Sequence, residues 1–319
     1  MAKPLVSVLI SVYNAGKYLR SSVQSILSQT YSNLEILIID DGSTDGCMES
    51  ITDLKDHRIR IIKQENSGKP VALNRAMDQL TGEFYAIQDA DDISYPQRIE
   101  RQLDYILKHS ELAAVFTGYD IILNDRRVAP RFRFKGVQQC REDIKRIHLP
   151  AHDPTAMFRI SLVKDMKYDP SLRIGQGWDY ILRVGERYPL TVIDECLYSY
   201  RYHDESSTRR DQVRREKKIR DVVSKACQRR GIDINKVLTL QKSSSTKLLY
   251  RGKEHGIIPH FMESVLDLRN SDRYWQALRT ALILLSMHPL DLNYYKPLVY
   301  FFAPVKLINY YREKRSLHL

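Results

Sequence analysis

The chain reads as an α/β protein built on a doubly wound, mostly parallel sheet, with a helical C-terminal extension. Three observations carry this expectation. Short apolar, β-branched runs alternate with segments of helical periodicity. The runs are nearly continuous in apolar residues, as strands buried on both faces of a parallel sheet are. The unusual polar clusters, Tyr13-Asn14, Asp40-Asp41, Glu65-Asn66 and Asp89 to Asp92, each follow such a run. Ligands of doubly wound sheets bind at the carboxyl ends of the strands.

Val6 to Val12 opens the alternation as a strand, and Tyr13-Asn14-Ala15-Gly16 breaks it. From Lys17 to Gln29, residues Tyr18, Leu19, Val23, Ile26 and Leu27 recur at helical spacing. A second strand, Leu34 to Ile39, runs into Asp40-Asp41-Gly42-Ser43, where Ser43 or Thr44 is placed to cap the next helix. Ile59 to Ile62 is a third, shorter strand. Asn66-Ser67-Gly68-Lys69-Pro70 is a loop, and Pro70 suits the first turn of a helix reaching about Leu80. Phe84 to Gln88 forms the fourth strand and delivers Asp89-Ala90-Asp91-Asp92. A helix over Pro96 to His109 and a strand over Ala113 to Thr117 continue the alternation, with right-handed crossovers.

Val128 to Lys135, polar and basic with Pro130, starts a mixed section covering the sheet. Asp194 to His203 alternates enough to be a strand. Beyond it the character changes. Arg209 to Arg230 holds ten basic residues and three acids, with Val213, Ile219, Val222, Val223 and Ala226 as an apolar stripe and Gly231 as its stop. From there to Leu319 the pattern is helical. Two domains are expected, residues 1–205 and 206–319, divided near Ser206.

The 319 residues are 43% hydrophobic, enough for a full core, and carry a net charge of +11. A basic excess favours polyanionic partners. Nucleic acid is not expected among them, because the Arg209–Arg230 cluster has no aromatic-basic platform and no recognised binding fold. No Gly-x-Gly-x-x-Gly follows the first strand, which speaks against a dinucleotide dehydrogenase. Val12 to Lys17 is too poor in glycine for the phosphate loop of a nucleotidyltransferase. The four cysteines form no Cys-x-x-Cys pair, so a compact zinc knuckle is not expected and a reducing cytoplasm fits. No signal peptide is visible, and no apolar run approaches the roughly 20 residues that span a bilayer. Ala277 to Met287 and Pro297 to Val305 are apolar, edged by Tyr294-Tyr295-Lys296 and Tyr310-Tyr311-Arg312. Such pieces suit an interfacial anchor on an anionic membrane, or equally a helical subdomain packing on the first domain or on another copy of the chain.

In an extended chain, residues two apart share a side, so Asp89 and Asp91 converge while Asp92 faces away. Two converging carboxylates repel unless a cation sits between them. Oxygen ligands select Mg²⁺ or Mn²⁺, and such a metal usually serves a phosphate.

These blocks together resemble the family-2 glycosyltransferases, which have the GT-A fold. Val6 to Asn14 looks like the family's opening strand and loop, and Glu35 to Asp45 like its second block. Asn66-x-Gly68-x-x-x-Ala72-x-Asn74 is similar to the third, and Asp89-Ala90-Asp91-Asp92 to the Asp-x-Asp metal motif. The match covers roughly residues 4–205. It implies a nucleoside-diphosphate sugar donor, most often a UDP-sugar, and inversion at the anomeric carbon. On this resemblance the donor is bound by Ser11, Val12, Tyr13, Asn14, Asp40, Asp41, Asn66, Gly68, Lys69, Asn74, Asp89 and Ala90. Tyr13 lies against the base. Asp40 accepts the uracil N3–H. Asp41 serves the ribose or caps the following helix. Asp89, Asp91 and His203 are the implied metal ligands, and Arg201 is placed to pair with phosphate. The implied acceptor is a glycan or lipid-diphosphate-linked glycan of a bacterial cell-surface polysaccharide, met in the cytoplasm or at its membrane face.

One block departs from the pattern. The family places a Glu-Asp pair, which includes the base, ahead of a segment ending in arginine. With Arg183 as anchor, Gln176 and Gly177 stand at those two places. Asp179, the carboxylate of this segment, is the expected base, with Glu186 and Asp153 as alternative suppliers. His152 to Met157 resembles a segment lining the acceptor side. The departure also leaves room for a second class: a catalytically impaired nucleotide-sugar-binding or scaffold protein.

Overall fold

The computed structural model describes residues 3–132, 134–203, 212–235 and 256–308. The expected boundary at Ser206 and the Tyr310-Tyr311-Arg312 edge lie outside these residues. The chain divides into two compact units, 1–119 with 133–201, and 120–132 with 202–319. The structural division thus falls after Arg201, and it draws an internal segment, 120–132, into the second unit.

The first unit begins with β1 (Val6–Val12), α1 (Leu19–Leu27), β2 (Leu34–Asp40), β3 (Ile59–Lys63), α2 (Lys69–Met77) and β4 (Phe84–Asp89). It continues through β5 (Ile93–Ser94), α3 (Arg98–Lys108) and β6 (Ala114–Leu123), whose last residues pass into the second unit. After β7 (Arg126–Val128), in the second unit, come α4 (Val137–Lys145), β8 (Met157–Arg159), α5 (Ile160–Val163), α6 (Gln176–Arg187) and β9 (Leu190–Arg201). The strands run in the order β3-β2-β1-β4-β8-β6-β9-β5, with β7 paired to β6. The four strands of the alternating half, β3, β2, β1 and β4, are mutually parallel, and β8 joins β4 antiparallel.

All seven residues of β2 are buried, and β1 is nearly so. That is the burial expected of parallel strands covered on both faces. Val23 and Ile26 of α1 and Ile99, Leu103 and Ile106 of α3 pack into one core with Val8, Ile10, Ile36 and Ile38. The helix expected after Asp41 is instead a short 3₁₀ turn, Cys47–Ile51. Asp45 Oδ1 accepts the Cys47 N–H at 3.1 Å, so an aspartate starts that turn rather than Ser43 or Thr44. The strands expected at 113–117 and 194–203 are longer or begin earlier, because each lies inside the sheet and gains partners along its length.

In the second unit, Asn124 and Asp125 both take positive φ (48° and 59°) in the tight β6–β7 hairpin. The helices are α7 (Gln212–Arg230), α8 (Ile258–Asn270), α9 (Tyr274–Met287) and α10 (Lys296–Phe302). Gly231 ends α7 at φ +63°, the stop expected of it. Val265, Leu268, Ala277 and Ala281 form a small core with Phe132, Leu298, Tyr300 and Phe301. Segment 120–132 belongs here because Phe132 enters that core, Arg131 pairs with Asp267 at 2.6 Å, and Pro130 O accepts from Ser264 Oγ at 2.7 Å.

One buried acid ties the front of the sheet together. Glu35 on β2 accepts hydrogen bonds from Ser7 Oγ, from the Thr81 N–H at 2.7 Å and from the Gly82 N–H at 3.2 Å. Burial pushes its pKa up, but these donors outweigh burial and hold it below the ordinary carboxylate range. A lowered folded pKa stabilises the fold above the unfolded value and loses that contribution as pH falls through the folded one. Glu35→Gln is therefore expected to cost about 1–3 kcal/mol at pH 7, read from urea midpoints at constant m. The gap between wild type and variant should close as pH drops below about 4.3. A gap that stays constant from pH 7 to pH 3 would contradict this account.

Candidate active site

Two parallel neighbours flank β1, with β2 on one side and β4 on the other. The chain leaves β1 in one direction and returns on the other, which makes this gap the topological switch point where such sheets bind ligands. The register places Val12 beside Asp40 and Ser11 beside Asp89. The strand ends named from the sequence therefore meet at one edge.

On the β2 side, Tyr13 is 54% exposed at the end of β1, an open ring face. Asn14, at φ +51°, accepts from the Thr44 N–H at 2.8 Å, and its own N–H donates to Ser43 Oγ at 3.2 Å. Asp40 Oδ1 accepts the Ser43 N–H at 2.9 Å. Asp41 is more heavily committed. Its Oδ1 accepts from Gln64 Nε2 at 2.7 Å and the Ser67 N–H at 2.9 Å, and its Oδ2 from the Gly68 N–H at 2.9 Å. Asp41 thus shapes the Gln64–Gly68 loop. Gly42 is required beside it: at φ +76°, an added Cβ would lie 2.9 Å from Asn66 N. Asn66 is exposed, and Gly68, at φ +92°, lies under the stem of Arg173. Asn74 grips the Tyr168 main chain with both amide atoms, donating to its C=O at 2.8 Å and accepting its N–H at 2.7 Å.

On the β4 side, Asp89, Asp91 and Asp92 bring carboxylate oxygens within 4.8 Å of one another. The expectation that Asp92 faces away is corrected. Strand alternation ends at Asp89, where the chain turns and the Asp92 N–H bonds to Asp89 O at 3.2 Å. Ala90 is nearly buried inside that turn. Asp92 is fully buried, accepting from Tyr198 Oη at 2.8 Å and from the Arg201 N–H at 2.8 Å. Burial pushes its pKa well up, and Asp91 and Asp89 push further. The same Tyr198 hydroxyl accepts the Asp89 N–H at 3.2 Å. Lys69 Nζ meets Asp89 Oδ1 at 2.5 Å. Burial works to lower the Lys69 pKa, but Asp89, Asp153 and Asp91 raise it overall. Arg201 donates from Nε to Asp91 O at 2.9 Å and lies over the Tyr18 ring at 4.7 Å. His203 belongs to the second unit.

The segment His152 to Met157 is held by a residue with no sequence signal of its own. Arg98, on the first turn of α3, is fully buried. It donates to Ile87 O at 3.0 Å, Pro154 O at 2.7 Å and Ser94 Oγ at 2.9 Å, and sits 4.8 Å from the Tyr198 ring centroid. His152 packs among the rings of Tyr119, Tyr200 and Tyr198. Asp153 follows, half-buried, its carboxylate against the first turn of α6 at Gly177. Burial raises its pKa to about 6, with Lys69 pulling down and Asp89 pushing up. Asp179 lies one turn inside α6, 1% exposed, paired to Arg183 Nε at 2.7 Å. Arg183 in turn holds Lys167 O at 2.7 Å. Asp179 is therefore committed to fixing the chain beneath α6.

The family model for Glycosyl transferase family 2 matches residues 7–167. A glycosyltransferase of Methanocaldococcus jannaschii, itself uncharacterized, is 32% identical over 212 residues, 63% of this chain and 72% of that one. Among solved structures, S. aureus TarS in complex with UDP-GlcNAc superposes with a TM-score of 0.60 at 15% identity, covering 97% of this chain and 92% of that one. The mannosyltransferase PcManGT of Pyrobaculum calidifontis, in complex with GDP-Man and Mn²⁺, gives 0.56 at 15% identity, covering 99% and 86%. The GT-A fold, with a Rossmann-like, mostly parallel sheet and C-terminal helices, is common to them. With the strand ends, the acidic turn and the family match in agreement, the chain belongs to glycosyl transferase family 2 and is a glycosyltransferase.

Proposed function

We propose that this glycosyltransferase is metal-dependent and inverting, and moves a sugar from a UDP-sugar to a glycan or lipid-diphosphate-linked glycan of a bacterial cell-surface polysaccharide. The observation that carries this reading is the convergence of Tyr13, Asp40 and the Asp89–Asp92 turn at the switch point of the sheet. Tyr13 offers an exposed ring for the base. Asp40 has the acceptor-only chemistry that an N3–H needs. Asp41, Gly42 and Gly68 shape the loop that brings Lys69 to Asp89.

The acidic turn fits a divalent cation. Its donors are all oxygens, within 4.8 Å of one another, and suit Mg²⁺ or Mn²⁺. Asp91 and Asp89 would hold the ion. Asp92 braces the turn from below through Tyr198 and Arg201. When bound, the ion supplies positive charge beside the departing diphosphate. Lys69 orients Asp89 and adds a second positive charge on the same side. Calorimetry with UDP tests the donor site. Binding is expected with Mn²⁺, and Asp91→Ala should weaken it by at least about tenfold, the scale of one lost charged contact. Absence of UDP binding with or without metal would overturn the reading. Binding without turnover of any donor would favour the scaffold alternative.

The second unit supports a membrane-facing role. Among the described residues, no helix is long and apolar enough to cross a membrane. Yet Trp275 is 85% exposed on α9, and Leu282 and Arg279 share a surface groove with it. Leu290, Leu292, Phe302 and Val299 are also exposed. Exposed apolar and aromatic residues in a chain of net charge +11 suit an anionic lipid surface, where nearby basic residues add about 1 kcal/mol each. The protein is expected to sediment with phosphatidylglycerol vesicles and not with phosphatidylcholine vesicles. Trp275→Ser combined with Leu282→Ser should weaken this at least about tenfold. If the same double variant instead abolishes self-association in the ultracentrifuge and leaves vesicle binding intact, the face belongs to a second copy of the chain.

A further inference from the structure

Gly177 and Asp153 fit each other as a matched pair. A Cβ built on Gly177 would lie 1.6 Å from Asp153 Oδ2, 2.2 Å from its Cγ and 2.6 Å from Oδ1. The Asp153 carboxylate therefore fills the volume into which any side chain at position 177 would project. The two residues come from different elements, the 3₁₀ turn Asp153–Thr155 and the first turn of α6. A carboxylate at this spot is thus supplied from the turn, and glycine at 177 is what admits it.

We infer that Asp153, resting in the space left open by Gly177, is the catalytic base that takes the proton of the acceptor hydroxyl. This rests on the donor-site reading above. Three observations support it. Asp153 forms no hydrogen bond or ion pair through its carboxylate among the described residues, so it holds up no architecture. Its charged neighbours are Lys69 and Asp89, which tie it to the donor end of the sheet. Asp179, the other carboxylate on this side, is 1% exposed and held by Arg183. Nearby, the Tyr168 hydroxyl is buried with no hydrogen-bond partner among the described residues, and Asp153 is among the charges that act on it. The Asp153 turn is rigid: Thr155 Oγ1 donates to His152 O at 2.6 Å, and Pro154 O is held by Arg98 at 2.7 Å.

In the step, an Asp153 oxygen accepts the hydroxyl proton while the acceptor oxygen forms its bond to the anomeric carbon. The bond from that carbon to the diphosphate oxygen breaks on the opposite face, and its electron pair leaves with the nucleoside diphosphate. The protonated Asp153 then returns its proton to solvent. The carboxylate carries out the proton transfer itself and stays unmodified.

The test uses the full chain with Mn²⁺ and a panel of UDP-glucose, UDP-galactose, UDP-N-acetylglucosamine and GDP-mannose, following sugar release to water. Asp153→Asn, close to isosteric, is expected to lower turnover of the best donor about 10²–10⁴-fold, the usual worth of a positioned base. UDP affinity should stay within about threefold, since the base does not bind the nucleotide. Asp153→Ala combined with Gly177→Asp, which returns a carboxylate from the helix side, should recover at least about tenfold over Asp153→Ala alone. A structural role for Asp153 would not be rescued in this way. Retention of turnover in Asp153→Asn, or loss of UDP binding with it, would overturn the assignment while leaving the donor reading intact. UDP binding by wild type without turnover of any panel donor would overturn the base assignment. No UDP binding by wild type would overturn both.

Discussion

The active end of this molecule hangs on one buried cation. Arg98 is fully enclosed, and a guanidinium in such a place must pair nearly all its N–H groups or the fold fails. Its partners are spread over the chain: Ile87 on β4, Ser94 on β5, Gln88, Gln102, and the carbonyls of Pro154 and Ala156. Burial pulls its pKa down to about 10, while Tyr198, Asp89 and Asp92 oppose that pull. One side chain thereby sets the spacing between the strand that delivers the aspartates and the turn that delivers Asp153. A hydrophobic residue there would pack, but would leave several carbonyls without donors.

Around that fixed point the site is an arrangement of opposed charges. Three carboxylates meet in one turn, and Lys69 and the Arg201 main chain each engage one of them. Asp92 and Asp91 differ in position although they are adjacent in sequence. Asp92 is buried and doubly hydrogen-bonded, and braces the turn. Asp91 and Asp89 are half-buried. Carboxylates gathered at a strand end repel one another, which favours a cation beside them. Lys69 keeps part of that charge neutral before any ligand arrives.

The second unit is organised on a different principle. Its core is small, and Arg131, Arg269 and Arg273 reinforce it. Arg131 meets Asp267, Arg269 caps carbonyls of α10 at Ala303 (2.7 Å) and Tyr300, and Arg273 lies 4.1 Å from the Phe132 ring centroid. Among the described residues, Trp275, Leu290, Leu292 and Phe302 are nonetheless left exposed. The first unit spends its apolar residues on a sheet buried on both faces; the second keeps a share of them for an external surface.

The sequence by itself determined the parallel strands, their order along the chain and the polar clusters at their ends. Each of those signals is local: a run of β-branched residues, a periodic stripe, or an acidic turn is legible within a dozen positions. It also marked Gln176-Gly177 as the place where an expected acid is missing. Only the tertiary structure brings a carboxylate to that place. Asp153 and Gly177 stand 24 positions apart, and that they share one volume follows from the fold and not from spacing. In the same way, the hydrogen bonds of Asp41 to the Gln64–Gly68 loop and of Asn74 to the Tyr168 main chain join segments that the sequence does not connect. Arg98 gave no signal at all, since an arginine on a helix reads as solvated until the fold encloses it. Hydrogen-bond partners and shared volumes are non-local quantities, and they come into being only when the distant segments meet.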